Sequence, residues 1–481
     1  MNGTAVLPAD LSRRRAAIGL AGVVAGAGVV LLLALPAKWT VASFAGLAVA
    51  CAALFQSDLR RYFQVLLVLS IPLALLSHQF FARRDYFGTP GVAFGLVDVV
   101  LVALYAAWLL SPGSLQRARA AFLSAPGLAG LGLVAAGALS VLGAADRALA
   151  LLGLVAVVRS YLVFLYVAAN VRETAGLRWI VNALVGAVLV QEVLGLAQYL
   201  TRSSLGLTAL GESGELMTMA FGGEVFVRVG GTLLHPNQFA NFLGLVLPIA
   251  LAMLVLGRRP FRSKVAFAAV FVLGLLVFIV TFSRTGWLHV AASTAVVLAF
   301  ALRGGKVRTD VANFLIVGAL VAAMLLLVFS GAIYARVFHS DPILVTARLD
   351  MGKVALRMIA DRPVLGVGIN NYVRALPSYD RIGVLEAPVH DLYLLLAAET
   401  GLAGLAAFGA FVALVFGRLL RAARSSDALV KAVAVGIAAG FVGFLVDGIS
   451  DFSFVLASTN LLFWFLAGLA TALGPREEEG G

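Results

Sequence analysis

Apolar runs of helical length, separated by short polar stretches, make up most of this chain. A helix needs roughly 20 apolar residues to cross the hydrocarbon core of a bilayer, which is about 30 Å thick. These runs are too long for barrel strands and lack their period of two. The pattern therefore predicts an all-α polytopic membrane protein that forms a single membrane domain over 1–481. Its transmembrane helices are expected to number about fourteen, at 17–36, 39–56, 63–82, 91–112, 126–144, 148–169, 177–200, 237–257, 264–282, 286–302, 311–332, 391–417, 429–449 and 453–473.

Positively charged residues in the connections set the predicted orientation. They concentrate in alternate connections, from Arg13–Arg15 before the first helix to Arg476 after the last. Since cytoplasmic connections of membrane proteins are rich in Lys and Arg, we expect both termini in the cytoplasm. The two longest connections, 201–236 and 333–390, then lie on the outer side. The first helix is interpreted as an uncleaved span rather than a signal peptide, because this topology works with it retained.

Composition excludes several classes of protein. Hydrophobic residues make up 62% of the chain and charged residues 12%, whereas about half apolar already fills a soluble core, so the lipid bilayer is the expected surrounding. The net charge of +12 follows the positive connections, so no nucleic acid is expected as a partner. Cys51 is the single cysteine, which excludes an intramolecular disulfide and a multi-cysteine metal site. Carboxylates and histidines are scattered, so neither a metal nor another cofactor is predicted.

The connection 333–390, between the eleventh and twelfth predicted helices, is much longer than ordinary connections, which indicates a functional segment. It contains a helical pattern at about 346–362, with Thr346 as a candidate N-cap and Pro363 as a stop. The apolar side of this pattern comprises Ala347, Met351, Val354, Ala355 and Met358. With charged residues opposite, the pattern predicts an amphipathic helix on the outer membrane surface, within a partly helical extracytoplasmic loop.

Two charged residues lie inside neighbouring predicted helices. Arg159 and Glu192 fall at similar depth, counted from the cytoplasmic turn between their helices. An arginine at the centre of a membrane helix costs about 2.5–3.5 kcal/mol on insertion scales, so it needs a partner. We therefore predict an ion pair between these two residues, chiefly with a structural role.

Candidate chemistry gathers at the predicted outer ends of the later helices. Arg284 lies in "TFSRTGW" between two helices, and Arg228 precedes a helix that opens with "HPN" at 235–237. Proline suits the first turn of a helix, and an outward helix N-terminus beside arginines forms an anion site. Snorkelling of the arginines to lipid headgroups is the alternative, with equal weight for Arg228. Arg348 of the long connection is a further candidate for this anion site.

The stretch "VHDLYLLLAAETGLAG" places His390 at the start of an apolar helix and Glu399 about two and a half turns deeper. Histidine accepts a proton near neutral pH. Asp391 either orients the ring or caps the helix, and Glu399 needs a partner or carries a proton. Arginines that stabilise a departing diphosphate, with a histidine that takes a proton from an acceptor hydroxyl, suit a reaction on a lipid diphosphate.

Three blocks of the second half occur in a specific order, with the long connection between them. They read "GGTLLHPNQFANFLGLVLPIAL" with the later "TFSRTGWL", then "ARLDMGKVALRMIADRPVLGVGINNY", then "HDLYLLLAAETGLAGL". Over 225–405 the chain thereby resembles the O-antigen ligase family, the bacterial polysaccharide ligases and polymerases. The resemblance implies a metal-independent, inverting glycosyltransferase of the bacterial inner membrane, acting on the periplasmic or external face. It also implies an undecaprenyl-diphosphate-linked glycan as the donor.

By position, the resemblance implies that Arg228 and Arg284 serve the diphosphate, while His390 is the base or orients the acceptor. The predicted catalytic residues are His390 and Arg284. The predicted diphosphate- and substrate-binding residues are Arg228, His235, Asn237, Arg348, Asp391, Tyr393 and Glu399. The family usually has His-Asn where this chain has His390-Asp391. The aspartate either raises the pKa of the histidine or marks a different acceptor.

Three functions are compatible with these features. An O-antigen ligase joins a finished glycan to the lipid A core in lipopolysaccharide biosynthesis, and we favour it slightly. A polymerase of O-antigen or capsule passes the growing glycan to another lipid-linked repeat unit. A flippase for lipid-linked oligosaccharides also has many helices, and Asp98 and Asp447, in or near predicted helices, support it. The sequence shows no convincing internal repeat of the kind usual in transporters.

Overall fold

The computed structural model describes residues 51–53, 55–56, 58–73, 78–80, 89, 91–171, 173–221, 224–303, 309–338, 342–380 and 386–473. The first predicted helix, 17–36, and most of the second, 39–56, lie outside these residues. The chain divides into two compact units, Met1–Tyr62 and Phe63–Gly481. In the first unit, the carboxylate of Asp58 accepts a hydrogen bond of 2.9 Å from the backbone N–H of Arg61.

The described part of the chain is mainly helical, as predicted for an all-α polytopic membrane protein. Its helices are α1 (Leu59–Ser70), α2 (Leu96–Leu109), α3 (Ser114–Phe122), α4 (Ala125–Ser140), α5 (Arg147–Asn170), α6 (Thr174–Thr201), α7 (Pro236–Val255), α8 (Phe261–Val280), α9 (Arg284–Arg303), α10 (Thr309–Val328), α11 (Ser330–Phe338), α12 (Pro342–Asp361), α13 (Tyr372–Tyr379), α14 (Leu392–Ala422), α15 (Ala428–Asp447) and α16 (Ala457–Leu473). Two short antiparallel hairpins pair β1 (His78–Phe80) with β2 (Val92–Phe94) and β3 (Met217–Phe221) with β4 (Glu224–Arg228).

Nine of the described helices are long and apolar enough to cross a membrane, or ten if α2 and α3, bent by 118°, form one broken span. The predicted number of about fourteen spans is therefore not confirmed by the part of the chain that the structure describes. The predicted helix 63–82 is wrong, because α1 ends at Ser70 and residues 78–80 form β1. Pro72 explains the early end, since proline has no N–H for the helical hydrogen bond.

The helix α7 lies at the centre of the second unit. In its most apolar window 94% of the residues are buried inside the protein, against 11% for α10. Gly436 and Gly440 let the backbone of α15 approach Ile249 and Leu245 of α7 closely. This close packing fixes the position of α7 and therefore of the residues at its N-terminal end.

A tight segment between α12 and α13 joins the long loop to earlier parts of the chain. Asn370, which has a left-handed φ of 57°, donates to the carbonyl of Leu149 and pairs with the backbone of Thr89. Asn371 accepts from the backbone N–H of Asp146 and donates to its carbonyl. These two side chains, the asparagine clamp, satisfy backbone groups at the start of α5 and at Thr89.

The helix α14 bends at Gly401, and the bend accepts the same loop. Gly401 has a left-handed φ of 70°, which interrupts the helical hydrogen bonding. The N–H of Leu402 donates instead to the carbonyl of Pro363 at 2.7 Å. Just before the bend, the carbonyl of Ala398 accepts the N–H of Val367 at 2.8 Å. The loop after α12 therefore completes the hydrogen bonding of α14 at its kink.

We expect Gly401→Ala to destabilise the folded protein by more than about 2 kcal/mol. A Cβ atom there is strained at positive φ and would overlap the carbonyl oxygen of Val364. Gly409→Ala is the matched control, since a Cβ atom at Gly409 on the same helix meets no described atom within 4 Å. Thermal unfolding in detergent measures the difference. Equal unfolding temperatures for the two variants would contradict the prediction.

The helix α12 is the amphipathic helix predicted at about 346–362, but its start and its packing partner differ. It begins at Pro342, so Thr346 is not its N-cap, and it ends before Pro363 as predicted. Four of its predicted apolar residues are buried, namely Met351, Val354, Ala355 and Met358. They pack with residues of α13 and α14, among them Tyr372 and Leu395. The predicted contact of this face with the membrane is therefore wrong, because protein covers it.

The predicted ion pair between Arg159 and Glu192 is also wrong. The Nε of Arg159 lies 3.5 Å from Oδ1 of Asp98, near the start of α2, and both side chains are half-buried. Glu192 is fully buried, and within the described structure neither of its carboxylate oxygens is hydrogen-bonded. Depth along a helix can be counted from the sequence, but the neighbouring helix is set by packing. Asp98, and not Glu192, is therefore the carboxylate that pairs with Arg159.

Candidate functional site

Three arginines from different elements meet at the turn between α8 and α9. The Nε of Arg228, at the end of β4, donates to the carbonyl of Thr281 at 2.8 Å. The Nε of Arg336, in α11, donates to the carbonyl of the next residue, Phe282, at 3.1 Å. Phe282 has a left-handed φ of 50°, uncommon for a residue other than glycine. Arg284 follows as the first residue of α9, half-buried. These carbonyls at the C-terminal end of α8 attract cations through the helix dipole.

Arg228 is buried and held from two sides. Its Nη2 donates to Oδ1 of Asn237 at 2.8 Å, and Nδ2 of Asn237 donates to Oδ2 of Asp451 at 2.9 Å. Burial, and then the nearby positive charge of Arg336, lower the pKa of Arg228 to about 10, with Asp451 acting in the opposite direction. Arg228 is therefore still charged at pH 7.

The start of α7 is formed as the sequence predicts. His235 is the N-cap, since its Nδ1 accepts the backbone N–H of Asn237 at 3.1 Å, and Pro236 lies in the first turn. Burial, and then the charge of Arg228, lower the pKa of His235 to about 4. His235 is therefore neutral at pH 7. It positions Asn237 beside Arg228 and adds no charge of its own.

His390 lies next to this cluster, just before α14. Its ring packs edge-on against Phe452, with 5.0 Å between ring centroids. Its Nδ1 is buried and has no hydrogen-bond partner among the residues that the structure describes. Burial, and then the positive charge of Arg348, lower the pKa of His390, while Asp451 raises it. His390 is therefore neutral at pH 7 and able to take up a proton.

Asp391 caps α14, which is one of the two roles considered for it, the other being to orient the ring of His390. Its Oδ1 accepts the backbone N–H of Leu394 at 2.8 Å. The neighbouring charges that act on the pKa of His390 are those of Arg348 and Asp451, and the expectation that Asp391 raises it stays a prediction. Burial raises the pKa of Asp391 itself. Since Asn and Asp are equally good N-caps, the change from the family's His-Asn is conservative for this helix.

Two other predicted substrate-binding residues are engaged with the backbone. The hydroxyl of Tyr393 donates to the carbonyl of Leu445 at 2.7 Å, which joins α14 to α15. Oε1 of Glu399 accepts the backbone N–H of Tyr372 at 3.1 Å, at the start of α13. Glu399 thus has the partner that its depth requires. These bonds give both residues a role in packing, and their predicted contact with substrate stays a prediction.

The last predicted residue to place is Arg348, after which the predicted residues that lie together can be named. Arg348, exposed on α12, is close enough to act electrostatically on Arg228, Arg284 and His390. The structure therefore brings together Arg228, Arg284, Arg348, His235, Asn237 and His390, with Asp391 at the start of α14. In the described ranges, no group of three or more His, Cys, Asp or Glu side chains has the arrangement of a metal site.

Asp451 also belongs to the cluster, although it was not predicted from the sequence. Its Oδ2 accepts from Asn237, and its Oδ1 accepts from the backbone N–H and the hydroxyl of Ser453, at 2.7 and 2.6 Å. One helical turn below the Asn237 contact, Asn241 donates to Asp447 at 2.8 Å. The matching spacing of four residues in both pairs, Asn237 and Asn241 against Asp447 and Asp451, is a signal that the sequence contains.

Two glutamines on α6, Gln191 and Gln198, form a bracket that supports the loop between Arg228 and His235 and was not predicted from the sequence. Gln198 accepts from the backbone N–H groups of Gly230 and Gly231 at 3.2 and 2.9 Å. Gln191 accepts from the N–H of Thr232 at 3.0 Å. Their spacing of seven residues puts both glutamines on one face of α6. This glutamine bracket holds the loop that leads into the cap of α7.

Long apolar helices are those of a multi-pass membrane protein, and in the described part of the chain an arginine cluster lies at the turn between two of them. Residues 269–409 match the family model described as O-antigen ligase, which confirms the resemblance over those residues. The matched region contains Arg284, Arg336, Arg348 and His390, whereas Arg228 lies before it. The match indicates a membrane enzyme of glycan transfer, of the ligase and polymerase family. No curated protein sequence matches the chain.

Proposed function

We propose that the chain transfers a glycan from an undecaprenyl-diphosphate-linked donor to an acceptor on the periplasmic face of a bacterial inner membrane. The leading candidate is an O-antigen ligase, with the lipid A core as acceptor. The observation that carries the proposal is the meeting of Arg228 and Arg284 at the α8–α9 turn. His390 and Arg348 adjoin that turn.

The arginines would stabilise the leaving group. As the bond between the anomeric carbon and the diphosphate breaks, negative charge builds up on the diphosphate oxygens. Fixed guanidinium groups lower the energy of that charge without having to reorganise. Arg228 is held by Thr281 and Asn237 before any substrate binds. The same chemistry needs no metal ion, in keeping with the predicted metal independence.

His390 would act as the base. The acceptor hydroxyl loses its proton to His390 while its oxygen attacks the anomeric carbon from the side opposite the diphosphate, which inverts that carbon. The imidazolium that forms is stabilised by the negative charge of Asp451, which already raises the pKa of His390. Asp451 remains available for this because its bonds to Asn237 and Ser453 fix its position.

The lowered pKa of His390 predicts the pH dependence of transfer. The neutral ring is the active form, so we expect kcat/KM to fall on acidification through a pKa below the usual value of about 6.5. Loss of a positive charge raises the pKa of a neighbouring histidine, so in Arg348→Gln the fall begins at higher pH. Asp391→Asn is the control and leaves the pH of the fall unchanged, because its carboxylate caps α14. An identical acid limb in wild type and Arg348→Gln would contradict the prediction.

The test of the proposed function is transfer in a reconstituted system. Purified protein in liposomes receives an undecaprenyl-diphosphate glycan and either lipid A core or a second lipid-linked repeat unit, with a chelator present. Movement of glycan to lipid A core supports the ligase, and movement to the repeat unit identifies a polymerase of the same family. Passage of the intact donor between leaflets without transfer would overturn the proposal in favour of a flippase.

A further inference from the structure

The short connection between α7 and α8 holds an arginine, Arg259, at the end of α8 opposite the candidate functional site. That site adjoins the C-terminal end of α8, whereas Arg259 lies just before its N-terminal end. The backbone N–H of Arg259 donates to the carbonyl of Gly257 at 3.2 Å. A Cβ atom at Gly257 would overlap the carbonyl oxygen of Met253. The connection is therefore tight and keeps the backbone of Arg259 close to the end of α7.

The guanidinium group of Arg259 differs from that of an arginine that extends to the membrane surface. Its Nη2 is buried and has no hydrogen-bond partner among the residues that the structure describes. A snorkelling arginine instead keeps its charged group in water or among lipid headgroups. A buried N–H of a charged group is unfavourable when it lacks an acceptor. Nη2 of Arg259 is therefore a donor that an anionic ligand between these helices would satisfy.

A second arginine, Arg178, stands beside Arg259. It is exposed on the first turns of α6, and α6 packs against α8. Burial, and then the positive charge of Arg178, lower the pKa of Arg259, so the two guanidinium groups lie within electrostatic reach of each other. Arginine keeps its charge at neutral pH. Two neighbouring guanidinium groups match a phosphate, whose several oxygens can accept hydrogen bonds from both.

The surroundings of this arginine pair, Arg178 and Arg259, indicate where that phosphate comes from. Trp179 and Phe261, on the same two helix ends, are exposed by 52% and 66%. Exposed aromatic residues at the ends of membrane helices lie at the level of the lipid headgroups. The predicted orientation places these ends at the cytoplasmic face, where anionic lipids collect at basic pockets between helices. The position therefore favours the phosphate of a lipid over free phosphate.

We propose that Arg178 and Arg259 bind the phosphate of an anionic glycerophospholipid in the cytoplasmic leaflet. Nη2 of Arg259 donates to one phosphate oxygen, and the guanidinium group of Arg178 donates to another. One headgroup thereby joins the beginnings of α6 and α8. The lipid site lies at the end of α8 away from the candidate functional site, so this inference does not depend on the proposed function.

The alternative is that both arginines serve only to orient the protein in the membrane, as basic residues of cytoplasmic connections do in general. Arg303→Gln is the matched control for that role. Arg303 ends α9 on the same predicted face, where it is exposed and lies over the ring of Phe300. It carries the same charge as Arg259 but lies outside the arginine pair.

The experiment uses the full chain, purified in a neutral detergent, with phosphatidylglycerol, phosphatidylcholine or inorganic phosphate added. Native mass spectrometry measures the Kd of each lipid, and thermal unfolding measures the stabilisation by each additive. Phosphatidylglycerol is expected to bind the wild type more tightly than phosphatidylcholine and to raise its unfolding temperature. Charged hydrogen bonds predict that Arg259→Gln and Arg178→Gln each weaken the binding of phosphatidylglycerol by about 10-fold or more.

Three further variants complete the comparison. Arg259→Lys keeps the charge without the planar fork and is expected to lose less affinity than Arg259→Gln. Arg303→Gln is expected to match the wild type. Because Arg178 is exposed, Arg178→Gln tests the site without disturbing the packing, even if Arg259→Gln unfolds. In the double variant of Arg178→Gln and Arg259→Gln, the preference for phosphatidylglycerol over phosphatidylcholine should disappear.

Several results would overturn the inference. A wild type that binds phosphatidylglycerol no more tightly than phosphatidylcholine has no such site. An equal loss of affinity in Arg303→Gln and Arg259→Gln would assign the binding to the charge of the whole face. Equal stabilisation by inorganic phosphate and phosphatidylglycerol at the same concentration would make free phosphate the ligand. None of these measurements involves glycan transfer, so their failure leaves the proposed function untouched, and the reverse also holds.

Discussion

His390→Ala is expected to lower kcat for glycan transfer by about 10²–10⁴-fold, the range that a general base contributes. The ring is half-exposed beside the arginine cluster and neutral at pH 7. In the proposed mechanism, its loss removes the group that takes the acceptor proton while leaving the donor site intact. We therefore expect the KM for the donor to stay close to that of the wild type. Transfer of a radiolabelled glycan in liposomes measures both constants.

Chemical rescue distinguishes loss of the base from loss of structure. Added imidazole is expected to restore part of the activity of His390→Ala, because the ring occupies a partly open position next to Phe452. The same additive leaves the wild type unchanged. A well-folded His390→Ala protein that transfers glycan at the normal rate would remove His390 from the proposed site.

Arg284→Ala is expected to reduce kcat/KM for the donor by about 10²–10³-fold, the usual effect of removing one donor to a developing anion. Arg284 is the first residue of α9 and lies where Arg228 and Arg336 meet. In the proposed mechanism, its loss raises the energy of the departing diphosphate more than that of the bound donor. The larger effect should therefore fall on kcat.

Two further variants give this prediction its controls. Arg284→Lys keeps the charge but not the planar fork, so an intermediate loss is expected. Arg303→Ala makes the same substitution at the opposite end of α9, where the arginine is exposed near Phe300, and should match wild type. Equal kinetics for Arg284→Ala and Arg303→Ala would contradict a role for Arg284 in transfer.

Much of the helical framework follows from hydropathy alone, because a bilayer requires apolar segments of a fixed length. The ends of α7 and α14 were predictable in detail, since "HPN" and "HDLY" carry local capping signals that operate within one turn. The grouping of Arg228, Arg284, Arg348 and His390 also followed from the sequence, because all four stand near predicted helix ends or in the long loop on one side.

Partners across the bundle could not be predicted, because they depend on which helices are neighbours. Arg159 of α5 contacts Asp98 of α2, and α2 is followed by a sharp bend into α3. It does not contact Glu192 of α6, the next helix in sequence. The hydrogen bond from Arg336 to the carbonyl of Phe282 depends on where α11 packs, which no local sequence pattern contains. In the same way, α12 resembles a membrane-surface helix in sequence, whereas tertiary packing covers its apolar face.

The asparagine clamp bears on how this protein can be divided by engineering. Asn370 and Asn371 lie inside the region 269–409 that matches the family model, but their bonds reach Thr89, Asp146 and Leu149, which lie outside it. The region 269–409 therefore depends on contacts with residues outside it. Chimeras that exchange this region between relatives must carry the start of α5 along with it, and the region and the start of α5 are expected to have diverged in step.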